Sequence, residues 1–282
     1  MRYAVLGAGG LGGLVGGALA RAGHSVTLVV RDPAHPATLL VESAVLGNFE
    51  VAVAVTTVLK EPVDVLWATT KATQLEGALA SAPAALVEGT VVPLLNGIDH
   101  VERLREVYRA VTPGTIRVES ERVAPGLIRQ PGPFIAVDLA GPLATEIAAE
   151  LSAAGIQARV REDETSMLWQ KLLVLAPMAL TTTATQRSIG GVRDDPQWRE
   201  RLLGVLEEAG EVARAEGAVL DVEASRAAIL SMPDGMRSSM QKDRAAGRPL
   251  ELDAIAGPIL RGGREHDLPT PHTQVLRSLL AE

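Results

Sequence analysis

Residues 1–31 read MRYAVLGAGGLGGLVGGALARAGHSVTLVVR, and this stretch decides the fold of the first half of the chain. An apolar run at residues 3–6 stops at Gly7-Ala8-Gly9-Gly10-Leu11-Gly12, which matches the pattern G-x-G-x-x-G directly after a strand. Apolar residues then recur at helical spacing over residues 11–19, and residues 25–30 follow as a second strand. The order of strand, glycine loop, helix and strand predicts a βαβ unit that binds a dinucleotide.

The three glycines of the motif have separate roles in such a unit. Gly7 allows a tight turn, Gly9 lets the backbone approach a pyrophosphate, and Gly12 lets the helix and the strand pack closely. At the end of the second strand, where an NAD-binding unit places Asp or Glu, the chain has Arg31. A planar guanidinium suits the 2′-phosphate of NADP(H), so the sequence favours NADP(H), and Asp32 leaves NAD(H) as the alternative.

Composition argues against several classes of protein. At 282 residues the chain exceeds the usual single domain, which predicts two domains. The formal net charge of -7 argues against a nucleic-acid partner. There is no cysteine to form a disulfide or a thiolate nucleophile, and the histidines lack ligand spacing, so we expect no metal site. No apolar run is long enough to span a bilayer and the N-terminus has no signal-peptide pattern, so we expect a soluble cytoplasmic protein without a membrane partner.

Hydrophobic periodicity changes at the acidic segment 162–164, which predicts a first domain over residues 1–163 and a second over residues 164–282. In the first domain the patterns predict further helices at residues 37–41, 99–108 and 143–154, and strands at 45–46, 49–55, 63–69, 90–95, 115–124, 127–130, 134–139 and 156–161. In the second domain they predict only helices, at residues 165–180, 197–216, 222–232, 236–246 and 252–265.

Two residues at strand ends are candidates for contact with a cofactor. Lys71 follows the strand at 63–69, and ligands of parallel sheets sit at the carboxyl ends of the strands; the alternative is an ordinary solvated lysine. Asn96 comes between the strand at 90–95 and a helix. It is either a turn or capping residue or a hydrogen-bonding group at the nicotinamide end of the cofactor.

Lys171 is the most informative charged residue of the second domain, because it lies in the apolar stretch MLWQKLLVLAPMAL at residues 167–180. The pKa of a lysine in such surroundings is open to tuning, which makes its ammonium a usable proton donor near neutrality. The alternative is that its stem lies along the helix while its ammonium reaches water. Glu251 starts the helix at 252–265 and is either the balancing charge or simply a helix-start carboxylate.

From end to end, the chain resembles the ketopantoate reductase (2-dehydropantoate 2-reductase) family. The late block of Ser, Asp, Gly and Glu residues is more specific than the glycine loop, and together the landmarks cover both predicted domains. The matching landmarks are Gly7 to Gly12, Arg31, Lys71, Asn96-Gly97, Trp169, Lys171-Leu172, Ser238-Ser239-Met240, Asp243, Gly247-Arg248-Pro249 and Glu251-Leu252-Asp253-Ala254-Ile255.

This resemblance implies an α/β fold, with an N-terminal Rossmann-type dinucleotide-binding domain followed by an all-helical C-terminal domain. It implies reduction of a 2-oxo acid by NADPH, with ketopantoate as the default substrate and pantothenate biosynthesis as the pathway. The expected partner is therefore a small-molecule 2-oxo acid, and a homodimer is compatible with the family.

The resemblance also implies roles for individual residues. Lys171 matches the general acid of the family, Glu251 the carboxylate that orients the lysine and the substrate hydroxyl, and Ser239 the serine that binds the substrate carboxylate. Asn96 matches the amide near the lysine and the nicotinamide. Lys71, Asn96 and Glu251 are accordingly expected to bind the cofactor together with the glycine loop and Arg31.

Two positions depart from the family pattern. Leu175 stands where the family has a substrate-binding Asn four residues after the lysine, and Ile189 aligns with another Asn near the later glycine turn. Aliphatic side chains in the substrate site remove hydrogen bonds to a hydroxylated substrate. A D-2-hydroxyacid dehydrogenase acting on a more apolar 2-oxo acid is therefore the nearest alternative, and a non-catalytic NADPH-binding sensor that kept the glycine loop is a third hypothesis.

Overall fold

Two compact units make up the computed structural model, which describes residues 1–281. The first comprises Met1–Leu95 and His100–Glu164, and the second comprises Asn96–Asp99 together with the chain from Thr165 onward. The predicted boundary between residues 163 and 164 falls next to this division. The short segment Asn96–Asp99 belongs to the second unit although the chain on either side of it belongs to the first. No sequence pattern indicates this.

The described strands all lie in the first unit. They are β1 (Arg2–Leu6), β2 (Ser25–Val29), β3 (Thr38–Ser43), β4 (Phe49–Ala52), β5 (Ala54–Thr56), β6 (Val63–Ala68), β7 (Val87–Pro93), β8 (Gly114–Arg117), β9 (Glu121–Ala124), β10 (Leu127–Gln130), β11 (Ala136–Leu139) and β12 (Gln157–Val160). The α-helices of this unit are α1 (Gly10–Arg21), α2 (Leu75–Leu79), α3 (His100–Arg105) and α4 (Ala144–Ala153), and α5 (Glu164–Thr185) begins at its last residue. Two short 3₁₀ helices cover Ala72–Gln74 and Ala84–Leu86.

A five-stranded parallel sheet in the order β5-β2-β1-β6-β7 forms the centre of the first unit. β1 pairs in parallel with β2 on one side and with β6 on the other, so that Ala4 faces both Thr27 and Leu66. Tyr3 to Leu6 are all buried, as expected for a central strand covered on both faces. The carboxyl ends of β1, β2 and β6 therefore meet at one edge of the sheet, where ligands of open α/β sheets bind.

Two smaller sheets complete the first unit, in the orders β4-β3-β10-β9 and β12-β11-β8. Helix α1 packs against both the parallel sheet and the first of these smaller sheets. A Cβ atom at Gly16 would lie 3.2 Å from Cγ2 of Val5 in β1, and one at Gly17 would lie 3.1 Å from Cγ2 of Val41 in β3. The glycine-rich composition of α1 thus lets two sheets approach the same helix.

The predicted helix at residues 37–41 is wrong, because this segment forms strand β3. Its side chains alternate in burial, and Leu39 and Val41 enter the core while Leu40 is exposed. The predicted strand at 45–46 is also wrong. These residues form a turn in which the Ser43 hydroxyl accepts hydrogen bonds from the backbone N–H groups of Val45 and Leu46, at 3.2 and 2.9 Å.

The predicted strand at 49–55 is interrupted. Its first part, β4, pairs antiparallel with β3 in one sheet, and its last part, β5, pairs parallel with β2 in the central sheet. Val53 lies between the two strands and is buried. A single apolar run therefore serves two sheets, which periodicity within the run does not distinguish.

The second unit is helical throughout its described residues, apart from loops and turns. Its helices are α5, which supplies all but its first residue, α6 (Ile189–Arg193), α7 (Pro196–Ala215), α8 (Val222–Leu230), α9 (Ser239–Ala245), α10 (Leu252–Glu265) and α11 (Pro271–Ala281). The predicted helix at 236–246 starts later than expected, because Ser238 caps α9. The helices α6 and α11 are not predicted by the periodicity.

A buried carboxylate fixes the N-terminus of α11. Glu208, in α7, accepts hydrogen bonds from the backbone N–H groups of His272 and Thr273, at 2.6 and 2.9 Å, and from the Thr273 hydroxyl at 2.6 Å. These are first-turn donors that have no partner within their own helix. The last helix of the chain is therefore attached to the core by polar contacts as well as by Leu276 and Leu280.

The structure confirms the predicted fold class, a Rossmann-type α/β domain followed by a helical domain. Among the described helices, none is both long and apolar enough to cross a lipid bilayer.

Candidate active site

The three motif glycines of the predicted dinucleotide loop have different steric environments. Gly7 adopts a positive φ of +100°, and a Cβ atom there would lie 2.9 Å from Cγ2 of Thr70. A Cβ atom at Gly12 would overlap the Gly7 carbonyl oxygen and the Thr69 hydroxyl, so only glycine lets α1 approach β1 this closely. A Cβ atom at Gly9, in contrast, would meet no atom within 4 Å. The loop thus leaves space at the position where a pyrophosphate would approach, and in this respect it fits a dinucleotide.

Gly10 lies between Gly9 and Gly12 and packs closely against Ser120 and Glu121 of the same unit. A Cβ atom there would lie 2.7 Å from Cα of Glu121, and the Ser120 hydroxyl donates a 2.8 Å hydrogen bond to the Gly10 carbonyl oxygen. Ala8 is buried and Leu11 is half-buried. No sequence pattern indicates this contact of Ser120, which lies more than a hundred residues from the loop.

Arg31 and Asp32 follow β2 and differ in their hydrogen bonding. The Asp32 carboxylate accepts a 2.9 Å hydrogen bond from the backbone N–H of Ala34 and so closes its own turn. Arg31 is exposed, and its guanidinium has no hydrogen bond or ion pair with the described residues. Of the two, Arg31 is therefore the side chain available to an external anion.

Thr69, Thr70 and Lys71 follow β6 at the edge of the sheet that carries the glycine loop. The Thr69 hydroxyl donates to the Gly7 carbonyl oxygen at 2.8 Å, which ties the end of β6 to the turn after β1. Lys71 is half-buried and precedes the 3₁₀ helix Ala72–Gln74. The predicted cofactor residues of the first unit, from Gly7 to Gly12 with Arg31 and Lys71, thus follow the strands β1, β2 and β6.

Asn96 and Glu251 come together in the second unit. The side-chain amide of Asn96 donates a 3.1 Å hydrogen bond to Oε2 of Glu251, which is 5% exposed and precedes the first residue of α10. Gly97 has a φ of +85°, and a Cβ atom there would overlap the carbonyl oxygen of Ala254. The backbone of Gly97 thus packs directly on the backbone of Ala254. This contact holds the neighbouring Asn96 amide beside the Glu251 carboxylate.

An ion-pair network fixes the same segment further along α10. Arg261 donates to the carboxylate of Asp253 at 2.9 Å and to the carboxylate of Asp99. Asp99 ends the segment that begins at Asn96, so α10 holds the segment at both ends.

Lys171 lies on a half-buried stripe of α5. Val174, Leu175 and Met178 follow it at helical spacing and are also half-buried, whereas Leu172 and Leu173 are buried in the core. Leu175 is thus one helical turn from Lys171, as the sequence predicts. The ammonium stands at one end of an otherwise apolar strip.

The adjacent serines of the second unit have different environments. Ser238 is 1% exposed, exchanges a 2.8 Å hydrogen bond with the Thr182 hydroxyl of α5, and caps α9 by accepting from the Gln241 N–H at 3.1 Å. Ser239 is exposed, and its hydroxyl has no hydrogen-bond partner in the part of the chain that the structure describes. Ser238 is therefore structural, and Ser239 is the serine available to a ligand.

Ile189 is fully buried in the hydrophobic core of the second unit. Its backbone N–H donates to the Met236 carbonyl oxygen at 2.9 Å, in the loop that precedes Ser238. Ile189 therefore contacts the loop before Ser238 through its backbone, while its side chain packs in the core. No group of three or more His, Cys, Asp or Glu residues within residues 1–281 has an arrangement that could hold a metal ion.

Comparison with known proteins finds one family whose models match both parts of the chain. A family model described as Ketopantoate reductase PanE/ApbA matches residues 3–137, and the model Ketopantoate reductase PanE/ApbA C terminal matches residues 163–282. A 2-dehydropantoate 2-reductase of Mycobacterium tuberculosis (strain CDC 1551 / Oshkosh) is 36% identical over 287 residues, which are 99% of this chain and 96% of the relative.

Two solved structures extend the similarity to the whole fold. A PanE/ApbA family ketopantoate reductase from Ralstonia eutropha JMP134 has a TM-score of 0.90 and 28% identity, over 100% of this chain and 97% of that chain. A D-mandelate dehydrogenase in complex with NADH has a TM-score of 0.87 and 25% identity, over 99% of this chain and 97% of the other. The family and its relatives imply a nicotinamide dinucleotide cofactor and reduction of 2-oxo acids. The chain belongs to the ketopantoate reductase family and is an oxidoreductase that acts on a CH–OH group.

Proposed function

We propose that the protein uses NADPH to reduce a 2-oxo acid to a 2-hydroxy acid, with Lys171 as the general acid and ketopantoate as the default substrate. The hydrogen bond from Asn96 to the buried Glu251 is the observation that carries this proposal. It joins two groups of the proposed proton-handling set within the unit that also carries Lys171 on α5.

The glycine loop, the first turn of α1 and Arg31 are the groups that would hold the cofactor. The open space at Gly9 and the free N–H groups at the start of α1 suit a pyrophosphate. The guanidinium of Arg31, which pairs with none of residues 1–281, supports NADPH over NADH because it can fork onto the oxygens of a 2′-phosphate. When bound, the cofactor supplies the hydride.

Lys171 would donate the proton that the reaction needs. Reduction of a ketone leaves negative charge on its oxygen, and an ammonium beside that oxygen both stabilises the charge and neutralises it by proton transfer. The half-buried position of Lys171 suits this role, because an apolar strip lowers the local dielectric and strengthens the interaction between ammonium and oxygen.

Glu251 would balance and orient the ammonium, and Asn96 would hold the carboxylate. A carboxylate that accepts a hydrogen bond from a fixed amide cannot rotate freely, so its orientation is set before the substrate binds. Ser239 would donate its hydroxyl to the substrate carboxylate, for which it is available because it is exposed and has no hydrogen-bond partner among residues 1–281.

A second candidate function differs in the substrate alone. Val174, Leu175 and Met178 extend the apolar strip beyond Lys171, which favours a 2-oxo acid with an apolar side chain. The D-mandelate dehydrogenase among the similar structures supports the same direction. This enzyme would be a D-2-hydroxyacid dehydrogenase with the same catalytic groups.

A panel of 2-oxo acids assayed with NADPH separates these candidates. Ketopantoate is compared with branched and aromatic 2-oxo acids by kcat/KM, and a preference for ketopantoate removes the second candidate. The variant Lys171→Ala should retain NADPH binding and lose about 100-fold or more in kcat. Lys60→Ala, which changes an exposed lysine of the first unit, is the matched control.

The same measurements test the third hypothesis. If no 2-oxo acid is reduced and NADPH still binds, the catalytic proposal fails and a sensor role replaces it. Turnover that is lost in Lys171→Ala excludes the sensor.

A further inference from the structure

The loop of residues 231–237 joins α8 to α9 and ends one residue before Ser238. All its residues are exposed except Met232, which is half-buried, so the loop contributes little to the hydrophobic core. Its conformation must therefore depend on polar contacts. Because Ser239 begins α9, the path of this loop helps to set the position of that serine.

Arg193, the last residue of α6, makes the principal side-chain contacts with this loop. Its Nη1 donates hydrogen bonds of 2.7 Å to the carbonyl oxygens of Leu230 and Met232, and its Nη2 donates to the carboxylate of Asp234. The Arg193 side chain is only 13% exposed. One planar guanidinium thus holds the end of α8 and the first half of the loop together.

The backbone of α6 supports the same loop. The N–H of Gly190 donates to the Asp234 carbonyl oxygen at 3.0 Å, and the N–H of Ile189 donates to the Met236 carbonyl oxygen at 2.9 Å. The approach is close, since a Cβ atom at Gly190 would lie 2.8 Å from Cβ of Asp234. At the far end, the hydrogen bond between Ser238 and Thr182 fixes the start of α9 to α5.

We propose that Arg193 is a positioning residue for substrate binding, which acts by holding the 231–237 loop so that the Ser239 hydroxyl is presented to the carboxylate of the 2-oxo acid. This inference rests on the proposed function, because it needs Ser239 to bind the substrate. The resemblance to the family places the side chain of Ile189 in the substrate site. We infer that α6 contributes to substrate binding through Arg193 instead.

The test compares steady-state kinetics of Arg193→Ala, Ser239→Ala and the double variant. Loss of a positioning contact should raise the KM for the 2-oxo acid about tenfold and change kcat and the NADPH dissociation constant less than about threefold. In the double variant the KM should be no higher than in Ser239→Ala alone, because both changes remove the same interaction. Arg199→Ala, an exposed arginine of α7 without an ion pair to the described residues, is the control and should leave all three constants unchanged.

Each failure has a distinct pattern. An unchanged KM in Ser239→Ala contradicts the assignment of Ser239 and overturns the positioning role with it. A raised KM in Ser239→Ala with an unchanged KM in Arg193→Ala overturns the positioning role and leaves the proposed function intact. Multiplying effects in the double variant also overturn it, since they show that Arg193 acts independently of Ser239.

A second variant keeps the inference testable if Arg193→Ala does not fold. Gly190→Ala leaves the guanidinium in place and adds a Cβ atom that pushes Asp234 away. It should raise the same KM, and a thermal denaturation curve like that of the wild type verifies that the variant is folded. An unchanged KM in folded Gly190→Ala overturns the inference.

Discussion

The side-chain amide of Asn96 donates a 3.1 Å hydrogen bond to the carboxylate of Glu251, a residue 155 positions further along the chain. Replacing the amide by a carboxylate in Asn96→Asp removes the donor and sets two acceptors of like charge against each other. We expect kcat for 2-oxo acid reduction to fall about 100-fold, as when one fixed donor is removed from an active site. Stopped-flow or steady-state assays with NADPH measure the change.

The other asparagine of the chain offers a matched control for this variant. Asn48 lies exposed in the turn between β3 and β4, and Asn48→Asp introduces the same charge there. It should retain wild-type kcat. Wild-type kcat in Asn96→Asp would show that the amide does not serve catalysis.

Arg31 should determine the choice of cofactor. If Arg31 binds the 2′-phosphate as proposed, Arg31→Ala removes a charge-assisted pair of hydrogen bonds, so the KM for NADPH should rise about tenfold or more, while the KM for NADH changes little. Arg109→Ala, at another exposed arginine of the first unit, controls for the loss of one positive charge. Equal losses with the two cofactors would mean that Arg31 does not bind the 2′-phosphate.

Leu175 should determine the substrate. In Leu175→Asn an amide replaces a half-buried aliphatic side chain one turn from Lys171, which supplies hydrogen bonds for a hydroxylated substrate. The ratio of kcat/KM for ketopantoate to that for an aromatic 2-oxo acid should rise about tenfold or more. Leu279→Asn, at an exposed leucine of α11, should leave the ratio unchanged, and an unchanged ratio in Leu175→Asn would place Leu175 outside the substrate site.

Gly9 and Gly12 should separate cofactor binding from stability. A methyl group at Gly9 occupies open space, so Gly9→Ala should keep the Tm of the free protein and weaken NADPH binding. A methyl group at Gly12 overlaps the Gly7 carbonyl oxygen, so Gly12→Ala should lower the free energy of unfolding by about 1–3 kcal/mol. Thermal denaturation and NADPH fluorescence titration distinguish the two effects. A Gly9→Ala variant with unchanged NADPH affinity would contradict the proposed pyrophosphate site.

Asp64 should make stability depend on pH at the acidic end. Its carboxylate accepts from the Arg2 guanidinium at 2.6 Å and from the backbone N–H of Arg2 at 2.7 Å, and these hydrogen bonds, the guanidinium's above all, hold the pKa of Asp64 below its usual 3.8. A lowered pKa means that the unfolded chain binds the proton more readily, so the stabilisation is present above pH 4 and is lost as pH falls through the folded pKa.

The corresponding variant is Asp64→Asn. Because the pair is partly exposed, the loss at pH 7 should be about 1 kcal/mol or less. Urea unfolding at several pH values should show this difference shrinking as the pH falls through the lowered pKa of folded Asp64, below which both proteins carry a neutral side chain. Glu61→Gln changes an exposed acid without an ion pair in the described chain and should show no such trend. A difference that is the same at pH 3 and pH 7 would contradict the role of the charge.

The parts of the fold that are local in sequence could be predicted. The glycine loop, β1, α1 and β2 follow from turn chemistry and periodicity within thirty residues. Strand β3 could not, because residues 37–41 are too few to show a period clearly and their strand state depends on pairing with β10, far along the chain.

Only part of the candidate site could be predicted from the sequence. The importance of Lys171 follows from an ammonium in an apolar stretch, Glu251 is a candidate balancing charge at a helix start, and Ser239 is indicated only by the resemblance to a family. Arg193, Ser120 and Arg261 remained unrecognised because their partners are distant backbone carbonyls or carboxylates, contacts that leave no periodic pattern. The buried threonines at the C-terminal end of α5, Thr181 to Thr183, are a sequence signal for polar contacts there, and Thr182 does contact Ser238.

The membership of Asn96–Asp99 in the second unit limits how this protein can be divided. A fragment that starts at residue 165 would contain all of α10 but would lack Asn96, Gly97 and Asp99, which contact Glu251, Ala254 and Arg261. Glu251 would lose its amide donor, Arg261 would lose Asp99, and the surface that accommodates Gly97 would be left open to water. Expression of the chain from residue 165 alone should therefore yield a helical fragment in which α10 is less stable than in the whole protein.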